Sequence, residues 1–239
     1  MQLQALTLED SEPWAQLLAL TFDRSCDEMA RLLHWLHAGH ELIACGAWDG
    51  AQLVAQYCSM LCPLALPERV APEWVGLSIN LAVHPDYRGR GLVKQVAQPV
   101  YAELAERGVL AGVGFSNAAG VQVDRHSTGY GYRVVGQLCS RLVWLRPTGA
   151  EPLTLTTCWP TAQLHIQPPA TDRIRLATST AALQHRFTHH PFRCYHFGIQ
   201  QTGQAVAGLV IYRPIRCGPI RGVSLLAAYA DDLANLLRC

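Results

Sequence analysis

The first forty residues alternate between apolar and polar positions in patterns that predict one strand followed by two helices. Residues 2–7 are predicted to form the strand. Ser11 is a favourable capping residue and Pro13 suits a first helical turn, so a helix is predicted from Ser11 to about Phe22. A second helix is predicted from about Cys26 to His37 because apolar residues recur on one side of it. These residues are Met29, Leu32, Leu33 and Leu36.

Residues 41–108 predict a hairpin, a strand and a long helix. Two apolar runs flank Asp49-Gly50, a pair that strongly favours a β-hairpin turn. The next strand is predicted over residues 76–83, and a helix over residues 93–107, which Pro99 should kink. The apolar face of this helix consists of Leu92, Val93, Val96, Ala97, Val100, Tyr101, Leu104 and Ala105.

The remaining patterns of the first region predict a strand over residues 109–115, a partly helical stretch over residues 117–128 and a last strand beginning near Tyr132. Strands and helices in this order predict an α+β or mixed α/β domain over residues 1–147.

The second region repeats part of this plan. Residues 148–171 are rich in Pro and Thr and are predicted to form a linker with one or two short strands. Residues 172–239 predict a helix near 180–187, two strands about a glycine turn, a third strand and a short C-terminal helix. The strands match those of residues 42–83 in plan, so we interpret this region as a partial, degenerate second copy of the first.

Composition narrows the function classes. Half of the 239 residues are hydrophobic and 15% are charged, which is typical of a globular protein with a sizeable core. The net charge of +1 does not favour nucleic acid or an anionic membrane as a partner. No apolar run reaches the roughly 18 residues that a membrane span needs, and the N-terminus lacks the features of a secretory signal. The nine cysteines form no CxxC pair, so we expect reduced thiols in a cytoplasmic protein.

The segment "HPDYRGRGL", His84 to Leu92, lies between a predicted strand and a predicted helix. Glycines let backbone N–H groups turn toward one point, and the N-terminus of a helix adds partial positive charge. Arg88 and Arg90 add full charges, so the segment is predicted to bind an anion, most simply a pyrophosphate. The GxxxxGK[ST] pattern is absent, and Lys94 stands where a dinucleotide fingerprint needs its third glycine.

The stretch "INLAVHPDYRGRGLVKQVAQPVY" resembles the coenzyme-A-binding motif of GNAT (Gcn5-related) N-acyltransferases, Arg/Gln-x-x-Gly-x-Gly/Ala. Here the motif begins at Arg88 and Gly91, and Val93 replaces the last small residue. The later stretch "VGFSNAAGVQVDRHSTGYGYRVVGQL" resembles the fifth strand, asparagine, helix and Gly-aromatic segment of the same family. The resemblance covers about residues 1–145 and implies the GNAT fold.

The resemblance implies a binding role for the fourth strand, the loop and the asparagine after the fifth strand. Backbone amides from Gly89 to Lys94 would hold the pyrophosphate, and the strand backbone would pair with the pantetheine arm and polarise the thioester carbonyl. Asn117 would lie near the thiol end, although a helix cap is an alternative role for it. The implied coenzyme-binding residues are Leu81, Ala82, Val83, Arg88, Gly89, Arg90, Gly91, Leu92, Val93, Lys94 and Asn117.

Catalytic groups are harder to place. Family members often use a tyrosine on the helix after the fifth strand; counting from either end places Asp124 or Ser127 there, and Tyr130 is the nearby substitute. The fourth strand often supplies a carboxylate base, where this chain has Ser78 and Asn80. We therefore predict Tyr130 and Asn80 as catalytic residues, with water taking the proton of the amine.

Metal binding is not expected. His34, His37 and His40 recur every three residues but lack an acidic partner in an HExxH pattern, and the dipole at a helix C-terminus favours histidine there. Cys58 and Cys62 share a face of a strand, where buried thiols are the usual outcome.

The leading hypothesis is thus an enzyme that transfers an acetyl group from acetyl-CoA to the amine of a small-molecule or glycan-type acceptor. One alternative is a coenzyme-A-binding or sensor protein without catalysis, because the usual tyrosine and carboxylate are missing. A second is an interaction module whose loop binds a phosphorylated or sulfated partner. The second region should expose a sheet edge on its own, so we expect it to pack on the first region or on a second copy in a homodimer.

Overall fold

The computed structural model describes residues 1–67, 69, 71–126, 132–137, 153–160, 175–176, 179–202 and 205–230. The chain divides into two compact units, Met1–Leu138 with Ile174–Ala177, and Cys139–Arg173 with Thr178–Cys239. The domain limits predicted from the sequence, at residues 147 and 171, stay a prediction.

The elements of the first 126 residues, in chain order, are β1 Gln2–Ala5, α1 Ser11–Phe22, α2 Cys26–Gly39, β2 Leu42–Asp49, β3 Gln52–Ala65, β4 Glu73–Val83, α3 Leu92–Glu106, β5 Ala111–Gly114 and α4 Ala118–His126. The later elements are β6 Thr154–Thr156, β7 Arg175–Leu176, α5 Thr180–Thr188, β8 His196–Thr202, β9 Ala205–Cys217 and β10 Ile220–Ala230.

The first unit contains one twisted sheet with the strand order β1-β2-β3-β4-β5. Neighbouring strands are antiparallel except β4 and β5, which are parallel, and β7 pairs with the far end of β3. The predicted hairpin at Asp49-Gly50 is confirmed, since Asp49 pairs with Gln52 and Gly50 has a φ of 59°. The predicted mixed α/β class is confirmed as well.

Helices cover both faces of this sheet. On one face α1 and α2 bury Trp14, Leu18 and Leu33 against the strands. On the other face α3 packs through five of the residues predicted for its apolar side, each of which is buried. Burial of a leucine or valine side chain contributes roughly 1.5–3 kcal/mol, so the amphipathic pattern of α3 is enough to hold it on the sheet. The five residues are Leu92, Val96, Ala97, Val100 and Leu104.

Two local predictions were wrong. Ser11 does not cap α1, because a 3-10 turn at Leu8–Asp10 runs directly into the helix; Thr7 caps that turn instead, and its N–H donates to Asp10 Oδ2 at 2.9 Å. The strand expected near Tyr132 is not formed over residues 132–137, where the side chains of Val134 and Val135 are exposed. A strand needs a hydrogen-bonded neighbour, and β5 has none beyond β4 within the described residues.

The second unit contains an antiparallel sheet with the order β10-β9-β8-β6. Leu183 and Phe187 of α5 pack against Phe197 of β8 and Leu209 of β9 in a core of their own. The predicted helix, the hairpin strands and the third strand are confirmed here, and a separate sheet of this kind is compatible with a partial second copy. The predicted C-terminal helix lies outside the described residues.

Candidate active site

A bulge in β4 is the first feature of the site. The register of β3 and β4 shifts between the pairs Cys58–Ile79 and Gln56–Ala82, so that Asn80 and Leu81 lie opposite the single residue Tyr57. Asn80 has a φ of 52°, a left-handed conformation that asparagine tolerates better than most residues. A bulge of this kind bends the strand and turns local backbone groups out of the ladder.

The bulge lies where β4 and β5 separate. Parallel pairing of these strands runs from Val75–Ala111 to Ser78–Gly114 and stops there. Beyond Ser78, the described residues provide no strand partner for β4 on that side, so its backbone borders an open cleft. The cleft therefore begins at the point where two strands diverge.

A cavity of about 1060 Å³ occupies this cleft. It joins the diverging strands to the loop after β4 and to the first turn of α3. Ten of the residues predicted for the site from the sequence line it, namely Asn80, Leu81, Val83, Arg88, Gly89, Gly91, Leu92, Val93, Lys94 and Asn117.

Three predicted residues are placed differently. The side chain of Ala82 is buried in the core beside α1, so only its backbone can face the cleft. Arg90 folds back over the ring of Tyr87, with its guanidinium carbon 4.6 Å from the ring centre, and donates to the carbonyl of Asp86 at 2.9 Å. Tyr130 lies outside the described residues.

The loop between β4 and α3 has the geometry of an anion site. Gly89 and Gly91 have φ values of 77° and 71°, and nothing lies within 4 Å of a Cβ at either position. Backbone conformation, and not lack of space, is therefore what requires glycine here. Gly91 is the N-cap of α3 and offers no side chain to the N–H groups of the first turn.

Charge at this end of the cavity is positive. Arg88 and Lys94 line it, and the first turn of α3 carries no acidic residue. The partial positive charge of the helix N-terminus adds to these two cations. Backbone donors, helix dipole and side-chain charge thus all favour an anionic ligand at one place.

Asn117 has both roles that the sequence left open, because it lines the cavity and also caps α4. Its Oδ1 accepts a hydrogen bond from the N–H of Gly120 at 2.8 Å, while its carbonyl accepts from the N–H of Val121 at 2.9 Å. The side-chain oxygen is therefore occupied by the helix, and the amide NH₂ is the group left to face the cavity.

A group of four hydroxyls at the vertex of the cleft, the point where β4 and β5 separate, was not predicted from the sequence. The hydroxyls of Tyr57 on β3, Ser78 on β4, Tyr101 on α3 and Tyr132 contact one another. Of these four residues, Tyr57 and Ser78 line the cavity. Burial and the neighbouring tyrosines raise the pKa of Tyr57, and burial with a hydrogen bond to Tyr132 raises that of Tyr101. Ser78 was noted only as a replacement for a carboxylate, and Tyr101 only as part of an apolar helix face.

Acidic and imidazole groups are absent from the described lining of the cavity. The protein groups that could move a proton there are hydroxyls, the amides of Asn80 and Asn117, and the ammonium of Lys94. β4 contributes Ser78 and Asn80 to this lining, whereas Glu73, at the start of the same strand, is not among the lining residues.

Metal-binding groups are not found in the described part of the chain, where no three His, Cys, Asp or Glu side chains cluster. His37 instead packs edge-on against Trp14, with ring centres 5.9 Å apart, and burial lowers its pKa. Cys26, Cys158 and Cys194 are exposed thiols, whereas Cys45 and Cys58 are buried ones. Of the helices that the structure describes, none has the length and apolar character needed to cross a bilayer.

Solved structures similar to this chain include acetyltransferases of low sequence identity. An acetyltransferase from Trypanosoma brucei is 19% identical, with 59% of this chain and 99% of that chain covered and a TM-score of 0.47. An aminoglycoside 6'-N-acetyltransferase from Acinetobacter haemolyticus is 14% identical, with 60% of this chain and 99% of that chain covered and a TM-score of 0.48. An acetyltransferase from Clostridium acetobutylicum, solved with acetyl-CoA, is 16% identical, with 59% of this chain and 95% of that chain covered and a TM-score of 0.46.

The family of the chain follows from its sequence alone. Curated proteins include no match to this chain. The family model described as acetyltransferase (GNAT) domain, however, matches residues 2–133, which is more than half of the chain and includes β4, the loop, α3 and Asn117. The chain therefore belongs to the GNAT acetyltransferase family.

Proposed function

We propose that this protein transfers the acetyl group of acetyl-CoA to the amine nitrogen of a small-molecule or glycan-type acceptor. Family membership supports N-acetyltransferase activity. The observation that carries the proposal is the continuity of one cavity from the glycine loop at the N-terminus of α3 to the divergence of β4 and β5. The cavity thereby connects the anion site to the reaction site, as the binding of one extended coenzyme molecule requires.

The loop would hold the pyrophosphate of the coenzyme. Backbone N–H groups from Gly89 to Lys94 are the donors, and Arg88 and Lys94 supply charge. The pantetheine arm would lie along the open side of Leu81–Val83 and take the place of an added strand, since amide groups of the arm match the backbone groups that β5 leaves without a partner.

The reaction would take place at the bulge. The amine nitrogen attacks the thioester carbonyl carbon, the carbon–sulfur electron pair leaves on the sulfur, and one proton passes from nitrogen to sulfur overall. A backbone N–H of β4 at Leu81 would donate to the carbonyl oxygen as negative charge develops on it. The amide of Asn80 would accept a hydrogen bond from the amine, and Tyr130 would donate a proton to the leaving sulfur.

Solvent would accept the proton of the amine, because the described lining has no carboxylate or imidazole. An amide such as that of Asn80 orients a proton but does not take it. The rate below saturation should then follow the fraction of free amine and rise tenfold per pH unit up to the pKa of the acceptor.

A cavity of about 1060 Å³ lies just above the range for one drug-sized ligand, roughly 300–1,000 Å³. It has room for the pantetheine end of the coenzyme and a small acceptor together. Scattered, unpaired thiols such as Cys26 and Cys194 suit a reducing compartment, so we place this activity in the cytoplasm.

The test combines binding with turnover. Isothermal titration calorimetry should show that acetyl-CoA binds to the full chain, and a thiol reagent should detect release of CoA with at least one of glucosamine, kanamycin, spermidine or alanine amide. Asn80→Ala should lower kcat and leave the Kd for acetyl-CoA within about threefold, whereas Asn80→Gly, which keeps the backbone conformation, separates loss of the side chain from loss of the bulge.

A coenzyme-binding protein without catalysis is the alternative that one observation favours, namely the lack of an acid–base side chain in the described lining. Tight binding of acetyl-CoA without release of CoA in any arm would select it. Failure of CoA to bind at all, together with binding of a phosphopeptide, would instead select an interaction module.

A further inference from the structure

Four hydroxyl groups converge at the vertex of the cleft, from four separate parts of the chain. Tyr57 Oη contacts Ser78 Oγ, Tyr101 Oη and, at 3.3 Å, Tyr132 Oη. Tyr132 Oη also contacts Ser78 Oγ, at 3.1 Å, and Tyr101 Oη. Tyrosine rings from a strand, a helix and an irregular segment do not meet in this way through apolar packing alone, because hydroxyls gain nothing from apolar neighbours.

The numbers of protons and acceptor positions in the four hydroxyls determine which of them can donate a hydrogen bond to a ligand. Each hydroxyl has one proton to donate and can accept two hydrogen bonds. Ser78 and Tyr101 can both donate to Tyr57, and Tyr132 can donate to Tyr101 or Ser78. In that arrangement the oxygen of Tyr57 accepts twice, and its own O–H, whose remaining neighbour is Tyr132 Oη at 3.3 Å, can turn to a ligand in the cavity.

The position of Tyr57 suits a role in the reaction. Ser78 is the last residue of β4 that pairs with β5, so the hydroxyl group lies where the cleft begins. In the strand register Tyr57 lies opposite the bulged residues Asn80 and Leu81, and Tyr57 and Ser78 line the same cavity as the glycine loop. Tyr57 itself is 1% exposed, so its hydroxyl is held in place by the core and not by solvent.

We propose that Tyr57 is a catalytic residue that donates a hydrogen bond to the leaving sulfur of the coenzyme, and that Tyr101, Tyr132 and Ser78 are the residues that position its hydroxyl. This inference rests on the proposed function. The backbone of β4 is already assigned to the carbonyl oxygen, and the hydrogen bond from Tyr57 would stabilise the negative charge on the sulfur until Tyr130 protonates it.

The nitrogen lone pair forms the carbon–nitrogen bond, and the carbon–sulfur pair is released onto sulfur, which the O–H of Tyr57 stabilises as it becomes a thiolate. Solvent takes the surplus proton from nitrogen, Tyr130 passes a proton to sulfur and regains one from solvent, and Tyr57 ends in its starting state.

The environment of Tyr57 keeps its hydroxyl in the form that this role needs. Burial raises its pKa above the usual value of about 10, and the nearby hydroxyls of Tyr101 and Tyr132 raise it further. The phenol therefore stays neutral and keeps its proton to donate, whereas a base would need the opposite shift.

Tyr57→Phe is the main test, because it removes the hydroxyl and leaves the ring in the core. We expect kcat to fall about 10- to 100-fold, as for loss of a hydrogen bond to a charged atom, while the Kd for acetyl-CoA stays within about threefold. Tyr101→Phe and Ser78→Ala should lower kcat about 3- to 10-fold, and each should have less effect when Tyr57 is already phenylalanine. The matched control is Tyr195→Phe, a buried tyrosine of the second unit, which should leave kcat unchanged.

The measurements are CoA release with acetyl-CoA and the panel of amines, calorimetry with acetyl-CoA, and thermal unfolding of every variant. Wild-type kcat in a folded Tyr57→Phe variant overturns the role of Tyr57 and leaves the proposed function intact. Binding without turnover, or no binding, in the wild type overturns both. If Tyr57→Phe does not fold, Ser78→Ala decides: unchanged kcat rejects the positioning group, and a loss of kcat that spares the Kd supports it.

Discussion

The glycine at the start of α3 gives the sharpest test of the anion site. Gly91 has a φ of 71° with open space around its Cβ position, so a new side chain there meets strain but no clash. Gly91→Asp places a carboxylate beside the backbone donors, and Gly91→Asn places an uncharged group of the same size there. The comparison between these two variants isolates charge, since backbone strain is common to both.

The expected effect can be estimated from Coulomb's law. At a separation of roughly 5 Å and an effective dielectric constant of about 40, two unit charges repel by about 1.7 kcal/mol. A pyrophosphate with two charges would therefore be repelled by about 3 kcal/mol, which is on the order of a 100-fold loss of affinity for Gly91→Asp relative to Gly91→Asn. Salt should reduce the difference, because the site is open to solvent.

The thermal stability of the two variants should differ in the opposite direction from their affinity for acetyl-CoA. Left-handed backbone costs a residue with a Cβ roughly 1–2 kcal/mol, but aspartate is among the best N-cap residues and favours a helix N-terminus. Gly91→Asp should thus be at least as stable as Gly91→Asn in thermal unfolding while it binds acetyl-CoA far more weakly in calorimetry. Gly108→Asn, at a φ of 69° beyond the other end of α3, is the control for strain alone. Equal affinities of the Asp and Asn variants at low salt would refute the anion site.

Three further predictions concern other parts of the chain. Burial raises the pKa of Cys58 to about 12 from its usual 9.0, so the folded thiol keeps its proton where the unfolded one loses it. The free energy of unfolding should then fall between pH 9 and pH 12 by up to about 1.4 kcal/mol per unit, and less steeply in Cys58→Ala; equal slopes in chemical denaturation would rule this out. Asn117→Ala should lose about 1 kcal/mol of stability with the cap on Gly120, whereas Asn117→Asp should retain it, which thermal unfolding can check. Calorimetry should show one equivalent of acetyl-CoA per chain, and a second equivalent would contradict a second region without a coenzyme site.

The sequence pattern was sufficient to predict the elements that depend on the spacing of apolar residues or on a strong local turn preference. The apolar face of α3 is a run of large side chains at helical spacing, and the hairpin at Asp49-Gly50 depends on two residues whose preferences are strong. The loop after β4 could also be predicted, because its glycines have positive φ for reasons that are local to the backbone.

The bulge and the cluster of four hydroxyls could not be predicted, because both depend on the register between strands. A shift of one residue between β3 and β4 decides that Tyr57 faces the vertex, and no pattern within either strand reports it. Tyr101 and Tyr132 are 44 and 75 residues away from Tyr57 along the chain, and only the folded sheet brings them to it. The cap at Ser11 failed for a different, local reason, since Thr7 and Asp10 form a capped turn directly before it.

The second unit shows which features turn a bulged strand into a site. Its hairpin closes at Thr202–Ala205 with a register shift one residue further in, between Gln200 and Gln201, as the first hairpin closes at Asp49–Gln52 with a shift between Ala47 and Trp48. Its third strand, β10, also has an extra residue, between Leu225 and Ala227. These parallels favour a repeated plan.

What the second unit lacks is the setting of the bulge. Within its described residues β10 has β9 as its neighbour and no parallel strand that pairs and then diverges, so no cleft opens beside the extra residue. The sequence after β10 is Asp231-Asp232, where the first region has Arg88 to Gly91, and two carboxylates repel a pyrophosphate that Arg88 attracts. A bulge turns backbone donors outward, but two further features are needed before those donors can act on a thioester. A diverging parallel strand must leave the donors accessible to a ligand, and a basic glycine loop must hold the anionic end of the coenzyme.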